Sequence, residues 1–208
     1  MFAPKILIAF YSRNHATEAL ALAVAEGARA SGAEVRLRRA REFVGSEVMA
    51  NVPGWSDNAA AMNAKYEAPT VEDAVWADGI VFGTPTRFGS VASELKAYID
   101  GLGGAWFQGK LNGKAGGVFG ATSSKHGGNE STLLSLYTVL AHLGLIIVPL
   151  GYSHGSLFKA GSPYGATCIT KGGTEKPTED DLTVARYQGQ RIAVVAKNLA
   201  SIAGEAAA

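Results

Sequence analysis

The chain is poor in several features that would decide its class. It has one cysteine, Cys168, in 208 residues, so no internal disulfide can form, as a reducing cytoplasm would allow. It has no charge excess, with 19 basic against 18 acidic side chains and a net charge of +1. A nucleic-acid binder normally carries a strong basic surplus. A disordered chain pairs high net charge with few apolar residues, whereas 47% of these residues are hydrophobic. The longest apolar run, residues 145–150, is about six residues against the roughly 20 that span a bilayer, so no integral membrane segment is expected. The opening Met1-Phe2-Ala3-Pro4-Lys5 offers no basic region, apolar stretch or cleavage site of a signal peptide, and the expected location is cytoplasmic.

Glycine, by contrast, is abundant. There are 26, one residue in eight against a usual ~7%, and 20 of them lie between Gly79 and Gly173. Such a concentration suggests loops that need positive φ or a close backbone approach to something bound.

Apolar runs of strand length alternate with helix-like stretches. Strands are expected at 5–11, 34–38, 79–83, 115–120 and 145–150, and helices at 16–30, 71–76, 90–101, from Asn129 to Gly144, and after a capping box at Thr178 to Asp181. The helix at 90–101 is read as capped by Ser90 and the next one by Asn129. Run 34–38 alternates Val35 and Leu37 with Arg36 and Arg38, the mark of an edge strand, and Arg39 and Arg41 extend it into a basic cluster read as a solvated edge. Residues 43–70 and 151–177 read as insertions, the first with a short helix at 59–65, in a single domain spanning 1–208. Alternation of this kind means an α/β fold, a doubly wound five-stranded parallel sheet with helices on both faces. Ligands then bind beyond the carboxyl ends of the strands, where strand order reverses, which directs attention to the loops after strands one, three and four.

The first loop, Ser12-Arg13-Asn14-His15-Ala16-Thr17, is neither a dinucleotide nor an NTP fingerprint. It places two hydroxyls and an amide at a helix N-terminus, suited to a phosphate monoester; ordinary capping by Asn14 or Thr17 is an equal reading. In the second, Gly83-Thr84-Pro85-Thr86-Arg87-Phe88-Gly89-Ser90, a stiffened turn offers a cation and an aromatic to a planar heterocycle. Singly, Arg87 reads as a surface ion pair and Phe88 as a core anchor. The third, Gly120-Ala121-Thr122-Ser123-Ser124-Lys125-His126-Gly127-Gly128-Asn129, is rich in hydroxyls and glycine, as a backbone cradle would be, with His126 read as exposed. His142, on an apolar helix face, reads alone as a satisfied core residue.

Together with Tyr11-Ser12 and the second loop, the segments Gly103-Gly104-Ala105-Trp106, Leu140-Ala141-His142, Val148-Pro149-Leu150-Gly151-Tyr152, Ser162-Pro163-Tyr164-Gly165-Ala166-Thr167 and Ala185-Arg186-Tyr187-Gln188-Gly189 resemble the WrbA-type NAD(P)H:quinone oxidoreductases over nearly the whole chain. The resemblance implies a flavodoxin-like fold, strand order 2-1-3-4-5, and a cytoplasmic homotetramer. It implies FMN as cofactor, NADH or NADPH as co-substrate and a quinone as substrate. Ser12, Arg13, Asn14, His15, Ala16 and Thr17 would hold the FMN phosphate; Pro85, Thr86, Arg87, Phe88 and Gly89 would meet the isoalloxazine; Thr122, Ser123, Ser124, Lys125, Gly127 and Gly128 would line its other edge. His142 would also lie near the flavin, reversing its reading as a core residue, and Trp106 and Asn14 would border the nicotinamide and quinone. No metal and no catalytic side chain is implied, because FMN carries the chemistry.

The chain departs from the family pattern in having His15 where glycine is usual, Asn14 where an aromatic is common, and a third loop one residue longer. The implied cycle is ping-pong, nucleotide and quinone using one pocket in turn. The rival classes are a flavodoxin-type electron carrier acting on a protein partner, and an interaction protein that has lost flavin. Carriers are typically acidic and shorter, which the net charge of +1 and the insertions oppose; the intact hydroxyl loop opposes the second rival.

Overall fold

The structure, a computed structural model, describes residues 2–206; Met1 and residues 207–208 of the alanine-rich tail lie outside the described residues. The apolar runs become the central strands β1 (Lys5–Phe10), β3 (Gly79–Pro85) and β4 (Ala115–Thr122), buried almost throughout, as strands covered on both faces must be. The alternating run is β2 (Glu34–Arg39), at one edge, and β5 (Ile146–Ile147) lies at the other; the order is β2-β1-β3-β4-β5 and all pairings are parallel.

On one face α1 (Ala16–Ala30) and α8 (Glu179–Ala206) cover Ile6, Ile8, Phe10, Val81 and Phe119. On the other α4 (Val71–Trp76), α5 (Ser93–Asp100) and α7 (Asn129–His142) cover Leu7, Ala9, Ile80, Phe82 and Val118. The capping box at α8 forms as read, Thr178 N–H donating to Asp181 Oδ2 at 2.8 Å and Asp181 N–H to Thr178 Oγ1 at 3.2 Å. The Ala185–Gly189 motif is structural here. Buried Gln188 donates from Nε2 to the Val118 carbonyl (2.8 Å) and accepts from Ala166 N–H (3.0 Å), stitching α8 to β4 and to the end of the second insertion.

Four expectations need correction. The strand expected at 145–150 shrinks to β5, because Pro149 has no N–H to continue the ladder. The vacant upper half of β4's edge is filled by β6 (Thr167–Ile169), paired with residues 120–122, so residues 151–166 interrupt one edge strand. Ser90 does not start a helix: it exchanges backbone hydrogen bonds with Arg87 (2.9 and 3.0 Å) across a tight turn, and α5 begins at Ser93. Gly128, with φ 93°, is the N-cap of α7, and Asn129 lies inside the helix. Residues 43–70 carry more helix than the short one expected, in α2 (Ser46–Met49) and α3 (Trp55–Lys65).

The basic cluster is also not a solvated edge. Arg36 and Arg38 pair with buried Asp73 at 3.0 and 2.9 Å. Arg39 is 0% exposed and pairs with Glu42 under the first insertion.

Candidate functional site

The loops after β1, β3 and β4 converge at the carboxyl ends of the strands, where β1 and β3 diverge in order. They enclose a cavity of about 180 Å³ lined by Ser12, Arg13, Asn14, Ala16, Thr17, Pro85, Thr86, Arg87, Ala121, Thr122, Ser123, Thr170, Gly172 and Gly173.

The first loop is an anion nest. The N-cap of α1 is His15, at φ 63°, and its side chain makes no capping bond; neither Asn14 nor Thr17 caps the helix, so the capping reading fails. Among the described residues no acceptor is bonded to the N–H groups of Arg13, Asn14, His15, Thr17 or Glu18, while Ala16 N–H folds back to the Asn14 carbonyl (2.9 Å). Successive free N–H groups at a helix N-terminus form a concavity for an anion. Ser12 Oγ and Arg13 Nε are buried without partners, and a buried hydroxyl without a partner is destabilising unless a ligand satisfies it. These residues fit the phosphate of FMN.

The first insertion holds this loop. Arg39 donates from Nη2 to the Ser12 carbonyl at 3.0 Å and from Nη1 to Asn63 Oδ1 of α3 at 2.6 Å. The Arg13 guanidinium stacks 3.7 Å over the Trp55 ring of α3. Burial pushes the Glu42 carboxyl up, but the Arg39 hydrogen bonds and charge outweigh it and hold the group below its ordinary value.

In the second loop Thr86 N–H donates to the Ala121 carbonyl (2.8 Å) and Thr86 Oγ1 meets Thr132 Oγ1 at 2.7 Å, which fixes the loop against β4 and α7. Arg87 has no carboxylate partner among the described residues and donates to the Thr86 carbonyl at 3.0 Å. Burial first, and the neighbouring Arg13 charge second, lower its affinity for its proton, although a guanidinium stays charged near neutral pH. Phe88 and Gly89 have φ of 53° and 76°, a sequence of positive values found in primed turns, and this carries the Phe88 side chain fully into solvent (106% exposed). It is no core anchor.

The third loop is closed by a segment that sequence reasoning left inside an insertion. Thr170 donates to the Thr122 carbonyl from N–H and Oγ1 (2.8 and 3.1 Å), and Gly172 N–H donates to the Ser123 carbonyl at 3.1 Å. The signal was present as Thr170-Lys171-Gly172-Gly173, the same hydroxyl-and-glycine composition as the third loop. Ser124, Lys125 and Gly128 line a neighbouring open cavity of about 1380 Å³ that shares Ser123 with the first; Gly127 N–H closes on the Ser124 carbonyl (3.0 Å) and Gly89 abuts Gly128.

Trp106, on α6 (Gly103–Phe107), and His142 come together elsewhere, on a third cavity of about 420 Å³ with Lys96, Ile99 and Asp100. His142 ends α7, whose other end adjoins the third loop. Its 14 residues at ~1.5 Å each put His142 about 20 Å from the loops, at the opposite end of the sheet. His142 is exposed, which contradicts its reading as a satisfied core residue.

Residues 6–158 match the family described as NADPH-dependent FMN reductase. The chain is similar to an NAD(P)H dehydrogenase (quinone) of Rhodopseudomonas palustris, 44% identical over 201 residues covering 94% of this chain and 98% of that protein. It is 45% identical over 203 residues to the protein of the same name from Cupriavidus metallidurans, with the same coverage. Among solved structures it is similar to a flavodoxin, WrbA-like protein from Agrobacterium tumefaciens, with TM-score 0.66 and 25% identity over 94% of this chain and 99% of that one. Flavodoxin 2 of Bacillus cereus shares the fold (TM-score 0.60, 20% identity, 91% and 98% covered). A family match across most of the chain, end-to-end relatives above 40% identity and a cavity at the flavodoxin position lead to one assignment: the chain belongs to the WrbA-type NAD(P)H:quinone oxidoreductase family.

Proposed function

We propose that this protein is an FMN-dependent NAD(P)H:quinone oxidoreductase that reduces quinones by two electrons in a ping-pong cycle. The observation that carries this reading is the nest of free N–H groups with the unpartnered Ser12 Oγ beneath it, a phosphate site without a dinucleotide fingerprint. Bound FMN supplies the two-electron chemistry, accepting hydride from NADH or NADPH and passing the electrons to a quinone.

The chain's own groups bind and orient. The amides of residues 13–18 and Ser12 Oγ take the phosphate, and Thr86 is clamped to β4 and α7 beside it. Arg87, which forms no ion pair with a carboxylate among the described residues, would offset negative charge on a bound flavin. We extend the proposal to a homotetramer: Trp106 and His142 lie at the far end of the sheet from the nest, and either can approach a flavin only from a second copy of the chain.

The test is direct. Purified protein, or apoprotein supplied with FMN, should be yellow, bleach anaerobically with NADH or NADPH and regain colour with benzoquinone, and double-reciprocal plots should be parallel. Intersecting plots would exclude the shared pocket, and protein that ignores both nucleotides would be an electron carrier. Ser12→Ala separates the site from the fold. It removes an unsatisfied buried hydroxyl, so apoprotein melting should hold or rise slightly while the Kd for FMN rises about tenfold; equal losses in both would show that Ser12 serves the fold.

A further inference from the structure

Asn129 opens α7, a helix of 14 residues, and is 6% exposed. Its Oδ1 is buried without a hydrogen-bond partner among the described residues. A buried amide oxygen left unpaired is costly, and a native structure that keeps one calls for a partner from outside the chain. The helix end is bare as well. Its N-cap is Gly128, which has no side chain to give, and among the described residues no acceptor is bonded to the N–H groups of Asn129, Glu130 or Ser131. Ser131 Oγ donates to the Gly128 carbonyl at 3.2 Å and caps nothing. These residues line the open cavity of about 1380 Å³ outside the third loop, so an acceptor lacking a donor stands beside a row of donors lacking an acceptor.

The other walls of that cavity are residues 159–161, β6 and the start of α8. It exceeds the ~300–1,000 Å³ that suits a drug-sized ligand, and it meets the flavin cavity at Ser123. Its charges are unevenly committed. Lys171 is engaged by Glu175 at 2.7 Å, and Asp181 accepts from Thr178 Oγ1 at 2.7 Å in the capping box. Glu130 and Asp180 are exposed, as are Lys125 and Lys159. The acidic pair Asp180 and Asp181 marks the α8 end, so an anion belongs at the α7 end, where the free N–H groups, the helix dipole and Lys125, four residues before Asn129, act together.

We propose that this cavity is the subsite for the adenosine-phosphate half of NADH or NADPH, a ribose hydroxyl donating to Asn129 Oδ1 and a phosphate accepting from the first N–H groups of α7 and from Lys125. This rests on the oxidoreductase reading above. The donor set selects the ligand: Oδ1 needs a hydroxyl or N–H, the helix end needs an anion, and a phosphorylated ribose carries both a few bonds apart. A quinone offers acceptors only and leaves Oδ1 unpaired. The cavity therefore reads the nucleotide alone, while nicotinamide and quinone use the flavin in turn.

The experiment titrates FMN-loaded protein with ADP-ribose, which has the ribose and phosphates but no nicotinamide, by isothermal calorimetry. Wild type, Asn129→Ala and Asn129→Asp are compared, and the Kd for FMN and the melting of the apoprotein are measured beside it. Wild type should bind ADP-ribose saturably. In Asn129→Ala its Kd should rise about five- to tenfold, the loss of one hydrogen bond; the KM for the nucleotide should rise and that for benzoquinone should not. The Kd for FMN should hold, and apoprotein melting should hold or rise because an unpaired amide is gone. Asn129→Asp separates ligand from fold. A carboxylate suits a helix N-terminus, so the apoprotein should be at least as stable as wild type, yet it repels phosphate and should bind ADP-ribose more weakly than the alanine variant. FMN-loaded wild type that binds no ADP-ribose, or variants that bind it as wild type does, would overturn the subsite. An equal rise in the Kd for FMN would assign the amide to the flavin instead, and a loss of apoprotein stability in both variants would assign it to the fold. Protein that takes up no FMN overturns the parent reading and this one with it, and is told apart by its lack of flavin colour before any ADP-ribose is added.

Discussion

Gly189→Ala should destabilise the protein by about 3 kcal/mol, the upper end for overpacking, and lower its melting temperature by roughly 6–12 °C for a chain of this size. The reason is a contact between helix backbones. A Cβ on Gly189 of α8 would stand 1.9 Å from the Val24 carbonyl oxygen and 2.8 Å from the Ala28 nitrogen of α1, and a Cβ on Gly27 would reciprocally stand 1.8 Å from the Arg186 carbonyl oxygen. No rotamer relieves a clash between Cβ and main chain, so the helices must separate. Separation opens the layer formed by Val24, Ala28, Ala185 and Ile192, all buried on this face of the sheet. The gain of up to ~1 kcal/mol in helix propensity from replacing glycine is too small to offset this. Gly103→Ala is the matched control: nothing lies within 4 Å of its added Cβ and its φ is ordinary, so its melting temperature should hold or rise. Thermal unfolding of the two variants side by side decides the matter, and Gly189→Ala within a degree or two of wild type would mean that the two helices are not in backbone contact.

The same helix pair shows what sequence could and could not reveal. The apolar spacing of α1 and the Thr178-to-Asp181 box are local signals, read directly. So were the continuous runs of β1 and β3 and the alternation of β2, because a central and an edge strand bury different numbers of faces. What was not legible depends on partners distant in sequence. β6 has only three residues and exists because β4 has an unpaired edge beyond Pro149; nothing within residues 167–169 announces it. Thr170, Gly172 and Gly173 reach the cavity by the same route. The cavity lining was legible where one loop supplies it, as at Ser12, Arg13, Asn14, Ala16 and Thr17 and at residues 85–87. Trp106 and His142, which the resemblance places near the flavin, line a separate cavity within one chain.

Arg39 was the deepest misreading. A run of arginines on an alternating strand suggests a solvated edge, yet Arg39 lies beneath α3, of which the sequence showed only a short helix within an insertion. The insertion thus reaches the cofactor loop through one buried cation, and any sequence change in residues 55–63 that shifts Asn63 or Trp55 acts on Ser12 from outside the cavity.

Arg39→Met should therefore be the most damaging polar substitution in the protein. Removing one member of a buried ion pair leaves the other charge uncompensated, at about 3–5 kcal/mol, a substantial part of the roughly 5–15 kcal/mol that holds a domain folded. The pH dependence identifies the cause. In the wild type Glu42 is held below its ordinary value by Arg39, so its contribution is present at neutral pH and is lost only as pH falls through that lowered value. In the variant burial remains, opposed by the hydrogen bond from Glu42's own backbone and the 3.4 Å hydrogen bond from Trp55 Nε1. Burial then raises the carboxyl, which takes up a proton earlier on acidification and sheds its penalty. The stability gap between variant and wild type should be widest near pH 7 and narrow toward pH 5, as followed by denaturant unfolding; a gap constant with pH would assign the loss to packing alone. Adding Glu42→Leu should restore most of the stability, since an apolar pair can replace a buried ionic one, and all the more because Arg39 Nε is itself without a partner. FMN affinity should not return with it. The Ser12 carbonyl still lacks the donor that Arg39 gave it at 3.0 Å, so the double variant should fold well and bind FMN weakly; recovery of both together would show that Arg39 supports the fold and leaves the loop alone.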